Sequence, residues 1–170
     1  MQNEIVKLLK KEGKLSEKTI DEISNIEIGD FSDLVRELGK EETEHIKRDE
    51  ISKNLNTKYI GKDIYIFNEV MSTNTIAKFL SMNGVGNGAV VISEKQTKAR
   101  GRSGKNWESP LGGVWLSIIL NPNVNHSKIP LITLATGVAV ENTLKRIGVK
   151  NAEIKWPNDI LIHGKKSVEY

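Results

Sequence analysis

The sequence predicts an α+β fold, a mixed β-sheet flanked by helices and preceded by a small helical segment. Three observations carry that prediction. From residue 58 onward, short apolar runs and helix-spaced stretches follow one another without a regular βαβ beat, which argues against a doubly wound parallel sheet. The first 50 residues are helix-spaced and charge-rich instead. Hydrophobic residues make up 38% and charged residues 28% of the 170-residue chain, the balance of an ordinary globular protein with a core to bury.

The elements follow in order. Residues 3–12 carry Ile5, Leu8 and Leu9 on one helical face, and Gly13 stops that helix. Ser16 opens a second helix before Ile20 and Ile23. Asp30 caps a third, with Phe31, Leu34, Val35 and Leu38 on its apolar side. Residues 1–50 thus form a small helical N-terminal segment. The charge-dense stretch 40–54 is a linker or a helix entering the next domain. Asp63–Phe67 reads as a strand and Thr73–Met82 as a helix with Ile76, Phe79 and Leu80 inward. Gly84, Gly86 and Gly88 make a turn, and Ala89–Ser93 is a buried strand. A loop runs from Gln96 to Gly113, and Val114–Leu120 is the next strand. Pro130–Arg146 reads as a long helix, apolar at Leu131, Leu134, Ala135, Val138, Val140 and Leu144. Two short strands, Glu153–Trp156 and Ile160–His163, flank Pro157.

Charge and composition exclude several functions. Residues 1–50 carry 9 Lys/Arg against 14 Asp/Glu, whereas residues 51–170 carry 16 against 8. The basic part suits an anionic ligand such as a nucleotide phosphate. The acidic part is a poor match for DNA, whose binding rests on phosphate neutralisation. No apolar run approaches the ~18 residues that span a bilayer, and the N-terminus lacks a signal peptide's apolar stretch. The chain has no cysteine, which removes disulfides and thiolate chemistry and fits a reducing cytoplasm. His45, His126 and His163 lack paired ligand spacing, so no protein-held metal is expected.

Three segments could carry chemistry. Gln96-Thr-Lys-Ala-Arg-Gly-Arg-Ser-Gly-Lys-Asn-Trp107 places Lys98, Arg100, Arg102 and Lys105 around two glycines. Arginine offers a planar fork of donors for phosphate or carboxylate oxygens. A solvated surface loop explains the composition equally well. Lys155-Trp-Pro-Asn-Asp159 combines a cation, an apolar wall and two polar side chains on a proline-stiffened turn; a plain hairpin turn is the simpler reading. Ser72-Thr-Asn74 reads as a helix N-cap, and a hydroxyl beside free backbone N–H groups also suits a polar ligand head.

In series, these segments resemble the biotin protein ligases. The resemblance rests on Ser72-Thr73-Asn74, Gln96, Arg100-Gly101-Arg102, Gly104-Lys105 and Trp107. It continues through Ser109-Pro110, Gly112-Gly113, Leu116-Ser117 and Lys155-Trp156-Pro157-Asn158-Asp159. It implies the fold shared by biotin and lipoate ligases and aminoacyl-tRNA synthetases, with residues 58–170 as a catalytic domain cut short at its C-terminal end. It implies ATP-dependent activation of biotin to biotinyl-5′-AMP, with Mg²⁺ accompanying ATP, and transfer to a lysine of a biotin carboxyl carrier protein.

Site residues follow from the same resemblance. Arg100 and Lys166 are the implied catalytic residues. Ser72, Thr73, Asn74, Gln96, Arg100, Gly101, Arg102, Trp115 and Lys166 are implied for biotin, and Arg100, Arg102, Trp107, Lys155 and Asn158 for ATP. A homodimer is left open by the resemblance. Two departures stand out. Ala99 replaces the first glycine of the loop pattern, which matters if that position needs a positive φ. After Lys166 the family continues through a small residue into Gly-Ile-Leu, whereas this chain reads Ser167-Val-Glu-Tyr170, so the remaining sheet and a C-terminal barrel are expected to be missing. Two other functions compete: a fragment that holds biotin or its adenylate without transfer, and a biotin-responsive DNA regulator. The acidic N-terminal segment argues against the latter.

Overall fold

The computed structural model describes residues 14–15, 43–102 and 104–170, which fall into two compact units that divide between Asn121 and Pro122. The helices expected at 3–12, 16–23 and 30–38 lie outside the described residues. Between the first two, Lys14–Leu15 is a short strand, β1.

In the first unit, helix α1 (Arg48–Asn54) precedes β2 (Ile64–Val70), α2 (Thr73–Met82), β3 (Val90–Gln96) and β4 (Trp115–Ile118). The sheet order is β1-β2-β3-β4, with β1, β2 and β3 parallel and β4 antiparallel to β3. The sheet is therefore mixed, as the sequence predicts. Side chains alternate across it. Tyr65, Phe67 and Val91 point to one face, where Ile76, Ala77 and Leu80 of α2 cover them. Ile64, Ile66, Val90 and Ile92 point to the other face and meet Ile46, Ile51 and Leu55, the last two on or beside α1. Burial on both faces is why β2 and β3 read as continuous apolar runs. Leu80 is fully buried, a contribution of about 2–3 kcal/mol from its side chain. At β4 only one face is covered: Ser117 and Ile119 are buried, whereas Leu116, Ile118 and Leu120 are exposed. The glycine-bearing turn before β3 is tight. Gly88 has φ +91°, and a Cβ there would lie 2.4 Å from the Tyr59 carbonyl oxygen.

The second unit opens with a 3₁₀ turn at His126–Lys128, whose first N–H groups are met by Asn125: its Oδ1 accepts from Ser127 N–H at 3.0 Å. Helix α3 (Ile129–Arg146) follows, with Pro130 in the first turn where its missing N–H costs nothing. Strands β5 (Ala152–Lys155), β6 (Asp159–Ile162) and β7 (Lys165–Glu169) form an antiparallel meander of their own. Helix α3 packs on β5.

Three expectations need correction here. Of the six apolar positions on α3, Leu131, Leu134, Ala135 and Val138 are exposed, whereas Val140 and Leu144 are half-buried. Gly137 is buried instead, because a Cβ there would lie 2.1 Å from the Tyr170 hydroxyl oxygen, so the ring seats where the helix has no side chain. Strand β7 was not foreseen. Its signal is His163-Gly164, both at positive φ (51° and 74°), the requirement of a two-residue type I′ hairpin turn. The stretch after Pro157 enters its strand one residue early, at Asp159.

Candidate active site

The N-terminus of α2 is built from four segments at once. Ser72 occupies the N-cap position in extended conformation, yet its hydroxyl makes no cap hydrogen bond. The orphan N–H at the helix start is satisfied from across the sheet: Thr73 N–H donates to Gln96 Oε1 at 2.8 Å. The Thr73 hydroxyl lies 3.2 Å from the same oxygen, and Gln96 Nε2 donates to Ser109 Oγ at 3.0 Å. Ser117 Oγ then lies 2.8 Å from Thr73 Oγ1 and 2.7 Å from Asn74 Oδ1. Thr73, Ser109 and Ser117 are buried. A continuous polar chain, Ser109–Gln96–Thr73–Ser117–Asn74, therefore crosses the end of the sheet. It orders five side chains from α2, β3, β4 and the loop between the strands. Each member is a hydrogen-bond donor or acceptor without charge, suited to an uncharged polar ring.

The arginine loop springs from the same strand end. It folds back on itself as a narrow ribbon: Arg100 bridges Asn106, Gly101 N–H donates to Lys105 O at 2.9 Å and Trp107 N–H to Ala99 O at 2.9 Å. Ala99 is buried, and its φ is not positive. The departure from glycine thus meets no backbone demand in this conformation. The exposed Arg100 guanidinium donates to Gly104 O at 3.1 Å, a contact within its own loop. Arg102 is exposed and Trp107 half-buried. Trp115 is tied to the following turn, its Nε1–H donating to Pro110 O at 2.9 Å. Its ring lies over Gly113, where a Cβ would come within 2.1 Å.

In the second unit, Lys155 is exposed at the end of β5 and Trp156 is exposed beside it. The Trp156–Pro157 peptide bond is cis. Asn158 is buried, with its carbonyl accepting from Tyr170 N–H at 3.0 Å and its Nδ2 3.4 Å from Glu169 Oε1. Lys166 Nζ lies 2.6 Å from Glu169 Oε2 and 2.9 Å from Asp159 Oδ1. Hydrogen bonds to Glu169 and then Asp159 hold its ammonium above the ordinary lysine range.

The structure thus brings Ser72, Thr73, Asn74, Gln96, Arg100, Gly101, Arg102, Trp107 and Trp115 into the first unit, and Lys155, Asn158 and Lys166 into the second. The resemblance includes Ser109 and Ser117, but it gives them no site role, and their membership of the network shows only in their hydrogen bonds to Gln96, Thr73 and Asn74. Glu94, a lone carboxylate with no patterned partner in the sequence, is buried on β3 two residues before Gln96. His45 N–H donates to Glu94 Oε1 at 2.8 Å. Burial pushes the Glu94 carboxyl up, but hydrogen bonds from Thr43, His45 and Ile46 and the nearby His45 ring outweigh it and leave the carboxyl below its ordinary 4.5. An open groove of about 530 Å³, lined by His45, Ile46, Ile51 and Leu55 among others, involves none of the predicted site residues.

The chain is similar to known proteins in sequence and in structure. The sequence pattern of the biotin/lipoate A/B protein ligase family matches residues 66–168. The bifunctional ligase/repressor BirA of Bacillus subtilis is 38% identical over 136 residues, covering 79% of this chain and 40% of that protein. The biotin protein ligase of Aquifex aeolicus, solved with biotin and ATP, superposes with a TM-score of 0.54 at 32% identity, covering 62% of this chain and 44% of that one. The biotin protein ligase of Leishmania major, solved with biotinyl-5-AMP, gives 0.51 at 29% identity, covering 62% and 49%. The chain spans about 40% of the length of BirA from Bacillus subtilis and under half of these solved ligases.

Proposed function

The chain belongs to the biotin/lipoate A/B protein ligase family, and on that premise we propose that its residues serve a biotin protein ligase. Biotin's carboxylate attacks the α-phosphorus of Mg-ATP, forming biotinyl-5′-AMP and releasing pyrophosphate. A lysine amine of a biotin carboxyl carrier protein then attacks the acyl carbon, AMP leaves, and an amide is formed. The observation that carries this reading is the uncharged chain Ser109–Gln96–Thr73–Ser117–Asn74 with the arginine loop rising from the same strand end.

The chemistry needs both parts. Carboxylate and α-phosphate are anions, and bringing them together needs fixed cations and positioned donors. Arg100 and Lys166 supply that charge. Arg102 helps hold the loop closed, and closure shields the labile anhydride from water. Ser72, Thr73, Asn74, Gln96, Gly101 and Trp115 serve biotin; Trp107, Lys155 and Asn158 serve the nucleotide. Gln96 Oε1 already accepts from Thr73 and one amide hydrogen is given to Ser109, so its part is to hold the helix end and offer its remaining amide hydrogen. Residues 58–170 are the catalytic part, the N-terminal segment 1–50 has no operator-binding role, and the cytoplasm is where the chain acts. Among the described residues no helix is long and apolar enough to cross a membrane.

Biotin-dependent exchange of labelled pyrophosphate into ATP tests the first step. Arg100→Ala should abolish it; exchange that persists in that variant would remove the loop from the reaction. A carrier-labelling assay separates transfer from adenylate binding alone.

A further inference from the structure

We propose that Glu169 is an internal competitor for the anionic ligand, occupying the donors of the second unit that the reaction requires. This rests on the reading of Lys166 and Asn158 given above. One carboxylate engages both: Oε2 stands 2.6 Å from Lys166 Nζ, and Oε1 stands 3.4 Å from Asn158 Nδ2. That is how a ligand phosphate or carboxylate would meet the same pair, with one oxygen on each donor.

The backbone explains why Glu169 is there. Asp159 and Glu169 are direct partners across the β6–β7 ladder. Like charges placed opposite each other disfavour the pairing, and Lys166, reaching back between them, offsets that repulsion. Both carboxylates are largely shielded, 19% and 14% exposed, whereas Lys166 is 39% exposed. Lys155 stands opposite Asp159 on β5, so the row holds two ammonium groups and two carboxylates, and Glu169 cancels the positive charge that would otherwise be left over. An incoming anion therefore gains that charge only when Glu169 swings away. Asp159, at 2.9 Å, then suffices to keep the ammonium oriented. Glu169 thus sets affinity rather than chemistry: it is displaced by the ligand and touches no reacting atom.

The test is calorimetric titration of the protein with Mg-ATP in the presence of biotin, in wild type, Glu169→Gln, Glu169→Asp and Lys166→Met. Glu169→Gln keeps the shape and removes the charge, and should tighten Mg-ATP binding on the order of tenfold, equivalent to about 1.4 kcal/mol. Glu169→Asp keeps the charge but withdraws it by one methylene, and should tighten binding less; it also serves if the glutamine variant folds poorly. The gain should shrink in high salt, which screens a charge effect and would leave a packing effect unchanged. Lys166→Met should weaken binding. If Lys166→Met weakens binding while Glu169→Gln leaves it unchanged or weaker, the masking role is overturned and the assignment of Lys166 stands. If Lys166→Met has no effect, both fall.

Discussion

Replacing Ser117 by alanine probes the polar chain at its buried centre. The hydroxyl has one hydrogen and faces two oxygens, Thr73 Oγ1 at 2.8 Å and Asn74 Oδ1 at 2.7 Å. Removing it strands them unequally. Asn74 is exposed and can turn to water, so its loss is small. Thr73 is buried, but its hydroxyl still reaches Gln96 Oε1 at 3.2 Å and its N–H keeps the same partner. The cost is therefore one under-satisfied buried group, about 1–2 kcal/mol, with little added for a cavity the size of one oxygen. In a chain of this size that lowers the melting temperature by roughly 2–8 °C. The looser start of α2 should also raise the KM for biotin in pyrophosphate exchange with a smaller effect on kcat, because binding rather than chemistry is disturbed. Urea unfolding and exchange kinetics on the same preparation measure both. Stability within about 0.3 kcal/mol of wild type together with an unchanged KM would refute the idea that Ser117 organises this helix end.

Other outcomes follow from the same structure. Leu80→Ala, at a fully buried position between α2 and the sheet, should cost about 2–5 kcal/mol in chemical unfolding. The Glu94 carboxyl lies below its ordinary 4.5 in the folded state, so its stabilisation is full above pH 4.5 and is lost as the pH falls through the folded value. Glu94→Gln should thus cost about 1–2 kcal/mol at pH 7, and the gap to wild type should close in acid below 4.5. A gap that stays constant from pH 7 down through the acid range in unfolding curves would show that Glu94 is not the titrating group. Ala99→Gly restores the family residue where φ is not positive and the methyl is buried; it should lower stability by about 0.5–1 kcal/mol without raising the exchange rate.

Much of the first unit was legible because its signals are local. The period-2 and continuous apolar runs that became β2 and β3, and the 3.6-spaced Ile76 and Leu80 of α2, are consequences of which side chains must leave water. The failures lie where one element's exposure depends on another. The apolar stripe of α3 has several candidates by spacing, and only the seat of Tyr170 against Gly137 shows which one turns inward. Strand β7 is charged and short, so its composition hides it. Its register comes from the two-residue turn at His163-Gly164 and from pairing with β6.

The candidate site divides in the same way. Residue types and their order along the chain determined the family and named the charged and polar side chains, since chemistry toward an anion and a polar ring requires those groups whatever surrounds them. Only the tertiary structure decided their partners. It spent Gln96 on the start of α2 rather than leaving it wholly to a ligand, joined Ser109 and Ser117 to that network, clamped residues 43–46 with Glu94, and set Glu169 on Lys166 and Asn158. These pairings are decided by distance in space and by the need of each buried polar group for a partner, and neither is a property that neighbouring positions in a sequence can express.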